Sequence, residues 1–174
     1  RLRMFIGDVR DAKRLTWAMR SVDTVIHAAA LKRIEVGHYN PGEMVKTNVQ
    51  GTMNVVEAAI ETGVRRVVGV SSDKAYQPVS PYGMSKAMGE AISIAANNTV
   101  GPGGPAFTAC RYGNVAGSTG SVIPVWQWSI ARGRPIELRD PEATRFWMTI
   151  DQAVELVLQT VRGGEQLRVP DLPA

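Results

Sequence analysis

Residues 67–90 read VVGVSSDKAYQPVSPYGMSKAMGE. The apolar run Val67 to Val70 has the composition of a strand buried on both faces, and it ends in Ser71, Ser72, Asp73 and Lys74. A loop broken by Pro78 follows, and then Tyr82 and Lys86 stand four apart at the opening of a helix predicted over 80–97. That spacing places both side chains on one helix face, one turn apart. Hydroxyl, carboxylate, phenol and two ammonium groups are thereby directed to the end of one strand.

Working outward, strands alternate with helices. Strands are predicted over 2–8, 24–30, 64–70, 106–111 and 135–138, and helices over 9–20, 41–62, 122–132 and 151–162. Pro41 suits a first helical turn, and Val45, Val49, Met53, Val56 and Ile60 form one stripe ended by Gly63. Thr149 is placed to cap the last helix, which Gly163 and Gly164 close, and TVGPGGP (99–105) is loop by composition. Residues 24–30 (TVIHAAA) suit a central parallel strand. This alternation predicts an α/β fold, a doubly wound parallel sheet with helices on both faces. Ligands of such sheets bind beyond the carboxyl ends of the strands. There stand Asp8, then Ala28, Ala29 and Ala30, then Ser72-Asp73-Lys74, then Tyr112-Gly113-Asn114.

The 174 residues are 44% hydrophobic and 21% charged, a globular composition. A net charge of +4, from 20 basic against 16 acidic residues, is too small and scattered for a nucleic-acid surface. A small anionic ligand is the more economical partner. The one cysteine, Cys110, excludes an internal disulfide framework and offers no metal-site spacing, so no metal is expected. No apolar run has the length of a membrane span and no signal peptide opens the chain, which makes the cytoplasm the expected setting.

Tyr82-x-x-x-Lys86 with upstream Ser72 resembles the extended short-chain dehydrogenase/reductase superfamily. HAAALK (27–32), KTNVQGT (46–52) and RYGNVAGSTGSVIP (111–124) follow its order. Ser72-Asp73-Lys74-Ala75 and TRFWMT (144–149) are similar to the UDP-N-acetylglucosamine 4,6-dehydratases of polysaccharide biosynthesis, and Tyr82 to their inverting subgroup. The superfamily's glycine-rich dinucleotide turn has no counterpart here. The chain is therefore expected to be an internal piece of a longer enzyme, Rossmann-like but incomplete at its N-terminus, and to turn over negligibly alone. Residues 1–116 are expected to be part of the cofactor-binding region and 117–174 part of a small substrate-binding lobe.

The resemblance implies roles. Tyr82 would be the base at the sugar 4-hydroxyl, its phenolate favoured by the Lys86 ammonium, and Lys86 would also hold cofactor ribose hydroxyls. Ser72 would bind the 4-oxygen, Lys74 would take the C5 proton, and Asp73, kept protonated by burial, would protonate the leaving 6-hydroxyl. Cofactor contacts fall on Asp8, Val9, Ala28, Ala29, Ala30, Lys32, Asn48, Tyr82, Lys86 and Tyr112, with NADP expected and NAD as the alternative. Substrate contacts fall on Lys32, Asn114, Ser121, Val122, Pro124 and Arg145, the last because a guanidinium suits a diphosphate. A UDP-sugar and further copies of the chain are the expected partners.

Blander readings stand beside these. Tyr82 and Lys86 also fit a solvated helix face, Asp73-Lys74 a loop ion pair, Asn48 a helix cap and Arg145 a surface residue. His27 reads as a core histidine satisfied by a hydrogen bond, Cys110 as inert, and Trp126, Trp128 and Trp147 as packing or subunit contacts. A nucleotide-sugar 4-epimerase, a retaining dehydratase or a non-catalytic nucleotide-binding fragment are the alternative functions. Asp73-Lys74 separates the first of these, because epimerisation at C4 needs no elimination.

Overall fold

A computed structural model describes residues 2–138 and 140–172. Its main sheet has four parallel strands in the order β1-β2-β3-β6, with β1 Thr24–His27, β2 Arg66–Ser72, β3 Ala106–Tyr112 and β6 Leu167–Arg168. Register is set by Val68 opposite Ile26 on one side and Thr108 on the other. A second, two-stranded parallel sheet joins β4 Asn114–Val115 to β5 Trp147–Met148.

The helices are α1 Ala12–Met19, α2 Ile34–Tyr39, α3 Pro41–Met44, α4 Gly51–Thr62, α5 Pro81–Ala96, α6 Val122–Ile130 and α7 Ile150–Arg162. Side-chain caps start three of them: Asp11 on α1, Ser80 on α5, and Thr149 with Gln152 in a reciprocal capping box on α7. Gly63 ends α4 at φ 71°, a left-handed conformation glycine adopts without a Cβ clash. Between α3 and α4 the backbone is π-helical over Val45–Gln50, and Asp73–Ala75 form a 3-10 turn after β2.

Alternation along β2 divides the core. Val67, with Phe107 of β3, faces α1, α4 and α5 through Met19, Val55, Ala59 and Ala96. Val68 and Val70, with Cys110, face α7 through Ala153 and Leu156. The sheet is thus covered on both sides, as the doubly wound reading requires. Phe107 is 1% exposed, and burial of such a side chain stabilises by about 1.5–3 kcal/mol.

Several expected elements differ. Residues 2–8 form no strand: among the described residues no ladder partner lies beside them, and they lean on α1 instead. Arg14 Nε donates to the Ile6 carbonyl at 2.7 Å, and Phe5 meets Trp17 edge-on at 5.0 Å. Asp8 therefore follows a non-strand segment. β1 is an edge of the described sheet rather than a central strand, with Ile26 48% exposed, and it stops at His27. Residues 135–138 are irregular; the strand of that region is β5. Among the described residues no helix is long and apolar enough to cross a membrane.

Candidate active site

The strand end of β2 carries the densest polar cluster. Ser72, 5% exposed, closes the strand and its Oγ donates to Asp73 Oδ1 at 2.8 Å. The 3-10 turn folds Lys74 back so that its backbone N–H and its Nζ both reach Asp73 Oδ1, at 2.9 and 3.0 Å. Lys74 Nζ also donates to Asn114 Oδ1 at 3.0 Å, which ties the end of β2 to the start of β4. The Asp73 side chain is 23% exposed and that of Lys74 35%. Asp73 is thus partly buried, and it accepts an ion pair and two further hydrogen bonds on one oxygen.

Tyr82 enters from the first turn of α5. Ser80 caps that turn through Gly83 N at 3.1 Å, with Pro81 at the first helical position. A Cβ on Gly83 would strike the Lys74 carbonyl, so a glycine there lets the helix start lie against the Asp73-Lys74 turn. Burial pushes the Tyr82 phenol above its usual value, and neighbouring Tyr112 adds to this. The Ser72 hydroxyl, hydrogen-bonding the phenol, pulls the other way, while Asp73 opposes ionisation.

Lys86 lies one turn beyond Tyr82 on α5, and its Nζ donates to the Val70 carbonyl at 2.6 Å. Four-residue spacing sets a shared face, but a flexible four-carbon stem chooses the buried carbonyl over the neighbouring ring. Burial lowers the pKa of Lys86, while Glu90 and then Cys110 raise it.

Asn48 sits in the π-helical segment and is 3% exposed. It caps no helix. Its amide donates to the Leu31 carbonyl at 2.9 Å and to Ser85 Oγ at 2.9 Å, and its oxygen accepts from Leu31 N at 2.8 Å. It thereby ties the loop that follows Ala28, Ala29 and Ala30 to α5. Ala28, Ala29 and Lys32 are exposed. Below them His27 Nε2 meets Thr52 Oγ1 at 3.1 Å; burial, then Lys86, lowers the pKa of His27 to about 4, a core histidine held neutral. Cys110 is fully buried and burial pushes its thiol up to about 11, an unreactive setting.

Asp8 is gripped by Arg10, Nε to Oδ1 at 3.0 Å and Nη2 to Oδ2 at 2.8 Å. That hydrogen bonding holds its carboxyl at about 2. Both border a hollow of about 330 Å3 with Leu31, Val36, Met44 and Thr47. Val9 packs on Gly51 of α4 and its carbonyl accepts from Asn54 Nδ2 at 2.9 Å.

Ser72, Asp73, Lys74, Tyr82, Tyr112 and Asn114 are therefore brought together. Ser121, Val122 and Pro124 lie at the start of α6, and no hydrogen bond among the described residues joins them to that cluster. Ser121 Oγ is buried without a hydrogen-bond partner among the described residues. Arg145 is exposed, with its guanidinium on the Thr144 carbonyl at 2.6 Å. Two residues on, the Phe146 carbonyl accepts from Asn114 N at 2.7 Å, which brings the Arg145 segment beside the cluster through the backbone. Reading by residue type missed Ser85, Glu90 and Arg111, whose contacts lie beneath the cluster. The one signal available was Glu90, two turns beyond Tyr82 on the same helix face.

Comparison with known proteins places these observations. A polysaccharide biosynthesis protein family matches residues 1–171. A Campylobacter jejuni protein named UDP-N-acetylglucosamine 4,6-dehydratase (inverting) is 45% identical over 177 residues, 99% of this chain and 53% of that protein. A Rickettsia akari protein named UDP-glucose 4-epimerase is 42% identical over 166 residues, 95% of this chain and 49% of that one. The crystal structure of a Streptomyces venezuelae dTDP-glucose 4,6-dehydratase with NAD bound superposes with a TM-score of 0.89 at 28% identity, over 97% of this chain and 58% of that one. The chain spans about half the length of the curated relatives it matches.

Proposed function

The chain belongs to the polysaccharide biosynthesis protein family, and on that premise we propose that its protein is an inverting nucleotide-sugar 4,6-dehydratase acting on UDP-N-acetylglucosamine. The observation that carries this is the Asp73–Lys74 pair, Nζ 3.0 Å from Oδ1, held by Asn114 at the strand end beside Tyr82. An elimination needs one base and one acid acting on neighbouring carbons. A Campylobacter jejuni relative carrying that name at 45% identity supports the choice of sugar.

The residues fit a nicotinamide dinucleotide. Ala28 and Ala29 offer exposed small side chains after β1, and the hollow beside Asp8 has room for a flat base. Asp8, Val9, Ala28, Ala29, Ala30, Lys32, Tyr82, Lys86 and Tyr112 would hold it, with Asn48 holding the loop. NADP is the form proposed, and NAD the alternative. Bound, the nicotinamide supplies a hydride acceptor for C4 and returns that hydride to C6.

Ser72 hydrogen-bonds the sugar 4-oxygen, and Tyr82 takes the 4-hydroxyl proton. With C4 a ketone, the C5 proton becomes acidic. Transfer of one proton from Lys74 Nζ to Asp73 Oδ1 turns the ion pair into an amine and a carboxylic acid. The amine takes the proton from C5, and the acid protonates the 6-hydroxyl, which leaves as water. C5 then receives a solvent proton on its opposite face, which inverts it, while Tyr82 and Lys74 release to solvent the protons they took and Asp73 regains one. Asn114 keeps Lys74 directed, while residues 117–174, including Ser121, Val122, Pro124 and Arg145, contribute part of the lobe that holds the UDP group. The free, buried Cys110 accords with a cytoplasmic setting, and exposed Met84 and Met88 on α5 accord with self-association.

A 4-epimerase is the second reading, favoured by the 42% identity to a protein of that name. Under it Tyr82 and Ser72 suffice and Asp73–Lys74 is only an ion pair. The full-length protein, incubated with UDP-N-acetylglucosamine, separates the two: loss of the 6-hydroxyl supports dehydration, and its retention in an epimerised sugar supports the epimerase.

A further inference from the structure

We infer that Glu90 is a positioning residue for Lys86, its carboxylate keeping the ammonium charged and in place while Arg111 holds the carboxylate. The inference rests on the role proposed above for Lys86. Glu90 follows Lys86 by one turn on the same face of α5, and it is 7% exposed. A buried carboxylate is costly unless it is paired and hydrogen-bonded. Arg111 on β3 meets that need, with Nε at 2.8 and 3.1 Å from the two carboxylate oxygens and Nη2 at 2.6 Å. The fork pairs the Glu90 carboxylate with the Arg111 guanidinium.

Glu90 and Lys86 line one small cavity of about 20 Å3, with His27, Asn48 and Ser71 on other walls. Charges interact more strongly there than in bulk water. The other groups around Lys86 do not supply the compensating charge. His27 of β1 is held neutral, and Cys110 of β3 carries a thiol pushed up to about 11. Arg111 of β3 is a like charge. Asp73, in the turn after β2, is taken up by Lys74. Tyr82 and Tyr112 are both raised by burial. Glu90 is the first charge that raises Lys86 against its burial. A plain clamp between α5 and β3 is the competing explanation of the Glu90–Arg111 pair.

The two explanations differ in sign. Lys86 is titrated by NMR in the full-length protein carrying isotope-labelled lysine, with no substrate present. Glu90→Gln keeps the shape and removes the negative charge, and its expected effect is a fall in the Lys86 midpoint of about one pH unit, a tenfold change. Arg111→Gln removes the positive charge, and its expected effect is a rise or no change. Loss of a clamp would act in the same direction from either side. A fall in both variants, or no fall in Glu90→Gln, overturns the inference; should Glu90→Gln fail to fold, a fall in Arg111→Gln overturns it, and should Arg111→Gln fail to fold, a fall in Arg111→Lys, which keeps the charge while loosening the fork, does so. Turnover of UDP-N-acetylglucosamine by the unmodified protein is followed separately, so a wrong function and a wrong role for Glu90 give different results.

Discussion

Asn48 holds Leu31 at both its backbone groups, donating to the carbonyl at 2.9 Å and accepting from the N–H at 2.8 Å. The same amide reaches Ser85 Oγ at 2.9 Å, and Ser85 Oγ donates to the Tyr82 carbonyl at 2.8 Å. One side chain therefore sets the loop after β1 against the helix that carries Tyr82. Asn48→Ala is expected to lower stability by about 1–3 kcal/mol, since it strands partly buried polar groups, and to weaken dinucleotide binding. Denaturant unfolding and a binding titration check this; unchanged values in both would remove Asn48 from the site's framework.

Lys74→Met and Asp73→Asn act on the elimination rather than on the 4-hydroxyl. Each is expected to slow dehydration by about 10²–10⁴-fold, the usual contribution of a general acid or base. Lys74→Met should also stop exchange of the C5 proton with solvent, read by NMR in heavy water. Undiminished C5 exchange would reassign the base.

The phenol of Tyr82 is raised, so the phenolate fraction grows as pH climbs toward and past its ordinary range. Reaction through that phenolate should rise with pH over the alkaline limb of kcat/KM. Ser72 lowers the phenol, and its removal raises it further. Ser72→Ala is therefore expected to displace that limb to higher pH, and displacement to lower pH would contradict the pairing.

His27 carries a pH signature in stability. Its folded value of about 4 lies below the ordinary 6.5. Above 6.5 neither folded nor unfolded chain binds the proton; between 6.5 and about 4 only the unfolded chain does, so stability falls as pH falls. The share amounts to about 3 kcal/mol by pH 4. His27→Gln should flatten that part of the unfolding free energy against pH, as read by denaturant titrations from pH 7 to 4.5.

Gly83→Ala places a methyl against the Lys74 carbonyl. Overpacking of this kind costs about 1–3 kcal/mol, and here it separates the start of α5 from the Asp73–Lys74 turn. Activity is expected to fall along with the melting temperature, and a variant that keeps both would show the contact to be slack.

Elements with local signals were legible in the sequence. Thr149 capped α7 and Gly63 ended α4, because capping depends on residues within one turn. What depended on a distant partner was not. Residues 2–8 have strand composition but no ladder partner among the described residues, β6 pairs through two residues, and the π-helical register of 45–50 keeps the same apolar stripe as an α-helix. α2 was missed because IEVGHY is short and holds a glycine. The site divides in the same way. Ser72, Asp73, Lys74 and Asn114 met as strand ends, whereas the turn of Lys86 toward Val70 and the Glu90–Arg111 fork are tertiary choices.

The most direct test of the proposed dehydration is NMR of the full-length protein acting on UDP-N-acetylglucosamine in heavy water. The expected product is a 4-keto-6-deoxy sugar with deuterium at C5 and inverted configuration there. A sugar that changes only at C4 and keeps its 6-hydroxyl would contradict the role given to Asp73 and Lys74.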